Sequence, residues 1–323
     1  MNKFIGIDIS KQTFDAAFPR TQGKMHSLVL SNEPKGFEQL VSYLQPGDHC
    51  VMEASGPYYV RLATCLYQQG FKVSVVNPLV IRRFAQMRMV RAKTDRKDAR
   101  VIYDYAVSEK PALWQPDDEA VARLQQLKMV IEGLTKQQNM LSNQLEALRQ
   151  LPLIDVVAKN AIRKVLGSIS RQIAGLEQRM LQIVKSTYPE TFQALKTIPC
   201  IGDKSAILLI ALTNNFKNFN TSKQLSAYVG LSPRVYDSGT SVKGKGHICK
   251  MGTGLLRKVL YMCSWTAKFY NHQCKQMYER LKAKGKPERV IKIALANKLL
   301  RIAFGVAKSL KPYEENYQPK FVF

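Results

Sequence analysis

The chain has 323 residues, 46% of them hydrophobic, enough to bury a core and too apolar for a disordered protein. Its 49 Lys and Arg against 24 Asp and Glu leave a formal charge of +25 and a pI near 9.8, a field that selects a polyanionic partner, most simply nucleic acid, over a merely basic soluble protein. No stretch approaches the roughly 18 apolar residues of a membrane span, and the apolar residues 4–9 carry Asp8 and precede no cleavage site, so no membrane contact is expected.

Residues 3–10 read as a short β-rich run containing Asp8. Residues 13–18 and 26–30 read as two more strands, with turn-forming residues 19–24 between them. At 34–44 a helix is expected, with Phe37, Leu40, Val41 and Leu44 on one face. A fourth strand at 49–53 ends in Glu53, a helix at 56–69 is closed by Gly70, and a fifth strand at 72–76 leads into Asn77-Pro78. Helices at 79–89 and 95–108 follow. Early hairpins and then β–α alternation predict an α/β mixed sheet with helices on its faces. This is the element order of the ribonuclease H and RuvC fold. There, one acid sits on the first strand, one ends the fourth and a pair sits on a closing helix; Asp8, Glu53, Asp95 and Asp98 take those places.

Carboxylates in that pattern suit two Mg²⁺ ions about 4 Å apart, one activating the attacking oxygen and one stabilising the leaving oxygen. Hard ions require oxygen ligands, and carboxylates also offset their charge. Asp95 and Asp98, spaced i, i+3, share a helix face. Singly, each acid reads as solvated or as a helix cap; four in register are harder to dismiss. Around them stand Arg82, Arg83, Arg88, Arg91, Lys93, Arg96, Lys97 and Arg100, a phosphate-binding rim where an ordinary helix surface would mix signs.

After a linker at 111–116, Leu124, Leu127, Ile131, Leu134, Gln138, Leu141, Leu145 and Leu148 form a heptad seam with one polar position. A break near Leu151-Pro152 precedes a second seam from Ile162 to Ile183. Together they predict an antiparallel hairpin, folded on itself or pairing protomers. Ile198-Pro-Cys-Ile-Gly202 resembles a helix-hairpin-helix turn, whose amides can bind a phosphate. Cys200 there replaces a glycine, which argues against a left-handed turn. A helix at 219–229 ends at Gly230, and residues 231–247 read as a flexible, basic, Gly-rich loop carrying Lys243 and Lys245. From residue 241 onward eighteen Lys or Arg face four Glu, a net +14, on helices expected at 254–270 and 287–310 with an apolar stripe and a basic face. A serine in such a loop either makes backbone turns or attacks phosphorus as a nucleophile. The six cysteines lack C-x-x-C spacing and read as reduced thiols. A zinc site among His247, Cys249, Cys263, His272 and Cys274 would lack closely paired ligands.

Ile5-Gly-Ile-Asp8, Glu53-Ala-Ser-Gly56, Asn77-Pro78, Lys93-Thr-Asp95-Arg-Lys-Asp98-Ala99, Ile198-Pro199, and Gly230-Leu-Ser-Pro-Arg234 leading into Tyr236-Asp-Ser-Gly239 resemble, together and over nearly the whole chain, the DEDD insertion-sequence transposases, the bridge-RNA-guided serine recombinases. The resemblance implies a RuvC-like catalytic domain over 1–110, a coiled-coil hairpin over 117–186 and a helical transposase domain over 190–323. It implies Ser238 as nucleophile, with Ser241 as fallback, and Mg²⁺ held by Asp8, Glu53, Asp95 and Asp98. It further implies donor and target DNA, a structured guide RNA, homodimers assembling to a homotetramer, and a bacterial cytoplasmic, nucleoid-associated setting. The tetrad of one protomer would work with the serine of another. Two readings compete with RNA-guided recombination: a Holliday-junction-type metal nuclease using water, and a basic nucleic-acid-binding protein without catalysis.

Overall fold

The computed structural model describes residues 3–19, 25–89, 94–234, 237–238, 242–243 and 247–315. The chain forms two compact units, 1–116 and 117–323.

In the first unit a five-stranded sheet has the order β3-β2-β1-β4-β5. β1 (Phe4–Ile9) pairs antiparallel with β2 (Thr13–Pro19), which pairs antiparallel with β3 (Met25–Ser31). On its other side β1 runs parallel to β4 (His49–Glu53), and β4 parallel to β5 (Lys72–Val76). The strand periodicity of two sorts the side chains onto two faces. Ile5, Ile7, Ile9, Phe14, Ala16, Cys50 and Met52 enter one core with α1 (Pro34–Ser42) and α2 (Tyr59–Gln68). Val51 and Val76 enter a second core with α3 (Pro78–Met87) and α4 (Asp95–Glu109). The helix expected from residue 56 begins at Tyr59, because Gly56 takes a left-handed φ of 62° and a turn occupies 56–58.

Gly6 on β1 sets the distance between the sheet and α4. A Cβ there would lie 2.3 Å from the carbonyl oxygen of Ala99 and 2.3 Å from the amide nitrogen of Tyr103. Only a glycine lets the strand and helix backbones approach this closely.

The second unit begins with α5 (Glu119–Arg149) and α6 (Val156–Thr187), the helical hairpin. Gln138, the polar seam position, donates a 2.9 Å hydrogen bond from Nε2 to Ser170 Oγ on the opposite helix. A single polar contact of this kind fixes register. The base of the hairpin shares one core with α7 (Pro189–Lys196), α8 (Asp203–Thr213), α9 (Ser222–Val229), α10 (Gly254–Tyr270) and α12 (Glu288–Ser309). Between the helices expected at 254–270 and 287–310 lies a further helix, α11 (His272–Ala283), whose buried Cys274 joins this core.

The turn between α7 and α8 is left-handed at Cys200, with φ 78°. The tight turn therefore forms although a side chain replaces glycine. The loop expected to be flexible contains two short antiparallel ladders. β6 (Pro233–Arg234) pairs with β9 (His247–Ile248), and β7 (Asp237–Ser238) pairs with β8 (Val242–Lys243), Ser238 facing Val242. No helix among the described residues is long and apolar enough to cross a membrane.

Candidate active site

The sheet topology brings the acids of the first unit together. β1 and β4 are adjacent and parallel, so their carboxyl ends lie side by side. Asp8 follows Gly6 on the α4 side of β1, and Glu53 follows Val51 on the same side of β4. A cleft beyond the carboxyl ends of parallel strands is where open α/β sheets commonly bind ligands. Here Asp8, Glu53 and Asp98 line one cavity of about 1060 Å³, together with Asp15, Ser10, Ser55, Asn77 and Arg82.

Local structure holds these groups. Ser55 Oγ donates to Glu53 Oε1 at 2.8 Å, orienting that carboxylate. Thr94 caps α4 by accepting from the Lys97 amide at 3.3 Å, which places Asp98 in the first turn. Asn77 caps α3, its Oδ1 accepting from the Leu79 amide at 2.9 Å. Residues from the first turns of α3 and α4 line the cavity, so two positive helix ends border it. Buried Asn32 ties the walls together. Its Nδ2 donates to the carbonyl of Ser10 at 3.0 Å and to that of Tyr58 at 3.3 Å, joining the end of β1 to the loop after Glu53.

Asp95 opens α4, and its side chain lies outside the described residues. Among the proposed basic contacts, Arg82 lines the cavity. Arg83 donates to Gln86 at 3.0 Å, Arg88 lies over the Phe84 ring, and Arg96 and Lys97 are exposed. Arg91, Lys93, Ser241 and Lys245 lie outside the described residues, as do the side chains of Ser238 and Lys243. Asp15 was not anticipated as a site residue. Its signal was the two-residue connection between Ser10 and Thr13, which places Asp15 directly opposite Asp8.

The side chains of the cavity able to ligate a metal offer oxygen: carboxylates, the hydroxyls of Ser10, Thr13 and Ser55, and the amides of Asn77 and Gln86. This donor set fits a hard divalent cation and disfavours a soft one. Among the described residues no three such side chains close into a metal-holding group. Far along the sequence, Cys263 and Cys274 are buried in the second core. Burial raises both thiols, Cys274 to about 12, so they behave as apolar packing groups. All six cysteines are free.

Two family models match the chain: a DEDD-type IS110 transposase model over residues 5–151, and one described as transposase IS116/IS110/IS902 family over 192–279. The pilin gene-inverting protein of Moraxella lacunata is 32% identical, covering 97% of this chain and 98% of that protein. The chain belongs to the IS110 family of transposases. The transposase for insertion sequence element IS1328 of Yersinia enterocolitica is 27% identical, over 94% of this chain and 96% of its own length. This transposase is thus a DNA-rearranging enzyme, and a DEDD-type family implies a divalent metal. The cavity carrying Asp8, Glu53 and Asp98 falls within the first matched segment, and Ser238 within the second.

Proposed function

We propose that the chain is an RNA-guided DNA recombinase that cuts and rejoins DNA through a phosphoserine intermediate. Convergence of Asp8, Glu53 and Asp98 from three separate elements on one cavity, in a transposase, carries this reading. The strand order β3-β2-β1-β4-β5 supports a RuvC-like assignment of residues 1–110. The paired helices α5 and α6 support a coiled-coil division at 117–186, and 190–323 is the serine-bearing part.

Asp8, Glu53, Asp95 and Asp98 would hold Mg²⁺, which when bound polarises phosphate oxygen and lowers the pKa of an attacking hydroxyl. Ser238 Oγ attacks the scissile phosphorus. A P–O bond to serine forms, the bond to the 3′ oxygen breaks, and the serine proton is balanced by protonation of that oxygen. The 5′-phosphoserine ester conserves the bond energy, so a 3′ hydroxyl from a second duplex can reverse the step without an external energy source. Arg82 and the neighbouring cations position phosphates. Donor and target DNA pair with a structured guide RNA, and homodimers join to a homotetramer. The gene-inverting character of the Moraxella relatives favours this reading over a water-using junction nuclease or a non-catalytic binder.

The test is trapping of covalent protein–DNA adducts. Ser238→Ala is expected to abolish adducts while retaining nucleic-acid binding; adducts at normal yield would overturn the assignment, and loss confined to Ser241→Ala would transfer the role. RNA that co-purifies with the full chain and directs its target choice is the expected guide; strand exchange unaffected by complete RNA removal would refute guidance.

A further inference from the structure

We propose that the outer face of α10 is a stacking platform for an unpaired DNA strand; this rests on the DNA-rearranging activity alone, not on the guide RNA or the phosphoserine. Lys258, Met262, Trp265 and Phe269 follow one another at steps of four, three and four, which puts them on one face of the helix. Trp265 is 47% exposed, Met262 57% and Phe269 66%, and Tyr270 at the helix end is 73% exposed. The opposite face, with Leu256, Leu260, Cys263 and Ala267, is buried in the core. The core thus accounts for the inner stripe and leaves the outer one unused. A contiguous run of large apolar groups left in water marks a binding surface.

The exposed rings are held in place. The Lys292 ammonium lies 3.7 Å from the centroid of the Trp265 ring, and Tyr261 meets that ring edge-on at 6.4 Å. Lys268 lies 4.9 Å from the Phe269 centroid, and Tyr270 meets Phe269 edge-on at 6.5 Å. Rings ordered in advance lose less entropy when a ligand docks.

Charge selects the occupant. Residues 254–292 carry ten Lys or Arg and two Glu. Of the two acids, Glu288 is already matched by Lys268 at 3.0 Å and Lys292 at 3.5 Å. A second copy of this chain, at +25, would bring like charge to the same face. A polyanion with flat apolar faces suits both the cations and the rings, and nucleobases supply those faces. In a duplex each base is covered by its neighbours, so only an unpaired strand offers them. A strand that passes from one duplex to another leaves its partner on the way, and its bases are then free to stack.

The experiment measures the affinity of the full-length protein for a short oligothymidylate and for a duplex of the same length, by anisotropy of a dye-labelled strand. Trp265→Ala is expected to lose about tenfold or more for the single strand and to bind the duplex as the parent does. Unchanged single-strand affinity, or equal losses for both forms, would overturn the platform. A greater loss for oligouridylate than for oligothymidylate would assign the face to RNA and overturn the DNA assignment. The protein has two tryptophans, so Trp114→Phe leaves Trp265 as the only indole. Its emission should be quenched by the single strand and not by the duplex; no quenching argues equally against stacking. If Trp265→Ala fails to fold, Phe269→Leu decides, since Phe269 is largely exposed: a loss confined to the single strand supports the platform, and parental affinity overturns it.

Discussion

The two units handle charge in opposite ways. In the first, a few acids from distant sequence positions meet on one cavity, held by backbone register and helix caps. In the second, cations spread along helices whose apolar faces build a shared core. Convergent charge depends on placement, so a single change should act almost all or none. Distributed charge depends on number, so each change should act in small steps.

The strongest break of that contrast is at Asp98. Asp98→Asn keeps the shape of the side chain and removes its charge. Strand exchange should fall about a thousandfold, the effect of losing several kcal/mol of transition-state stabilisation. Single-turnover DNA exchange in Mg²⁺ measures it, and a loss under tenfold would place Asp98 outside the chemistry.

Next in size is Gly6→Ala. The added methyl meets the backbone of α4, which must shift. A loss of about 3 kcal/mol is expected in chemical denaturation, with activity falling further than stability alone explains. A variant of normal stability would show that the approach of sheet and helix is not tight.

In the second unit effects should be smaller. Cys200→Gly removes the strain of a side chain at φ 78°, and a gain of about 1 kcal/mol is expected. A lower urea midpoint would show that Cys200 packing outweighs strain.

The smallest effect is pH-dependent. Asp118 accepts hydrogen bonds from Lys217 and from Tyr188 Oη. The Lys217 contact chiefly holds its carboxyl below the ordinary value, so this stabilisation is present above about pH 4 and lost as acid protonates Asp118. Burial, and then the bond to Asp118, pushes Tyr188 up to about 12. Its share is present below about pH 10 and lost as pH rises through 12. Urea midpoints across pH should show both slopes, and Asp118→Asn should flatten the acid one; an unchanged acid slope would exclude this contact.

The long helices are legible because apolar residues recur every three to four positions, and the strands because short, β-rich apolar runs are bounded by turn residues or acids. Asp8 and Glu53 were legible because acids interrupt apolar strands. Asp15 likewise interrupts an apolar strand, but its place opposite Asp8 follows from register, which is visible only once the Ser10–Thr13 turn is fixed. α11 is hard to read in the sequence because Cys274, Met277, Tyr278 and Leu281 lie among polar and charged residues. The ladders at 233–248 are two residues long and carry no periodic signal.

The contact at Gly6 also bears on how this sequence can drift. Since main-chain atoms of strand and helix meet there, the spacing between Asp8 and the helix carrying Asp98 is gauged by atoms common to every amino acid. Isoleucines and valines elsewhere in both cores can exchange without resetting it. One residue without a side chain thus lets the surrounding sequence diverge while the carboxylates keep their distance.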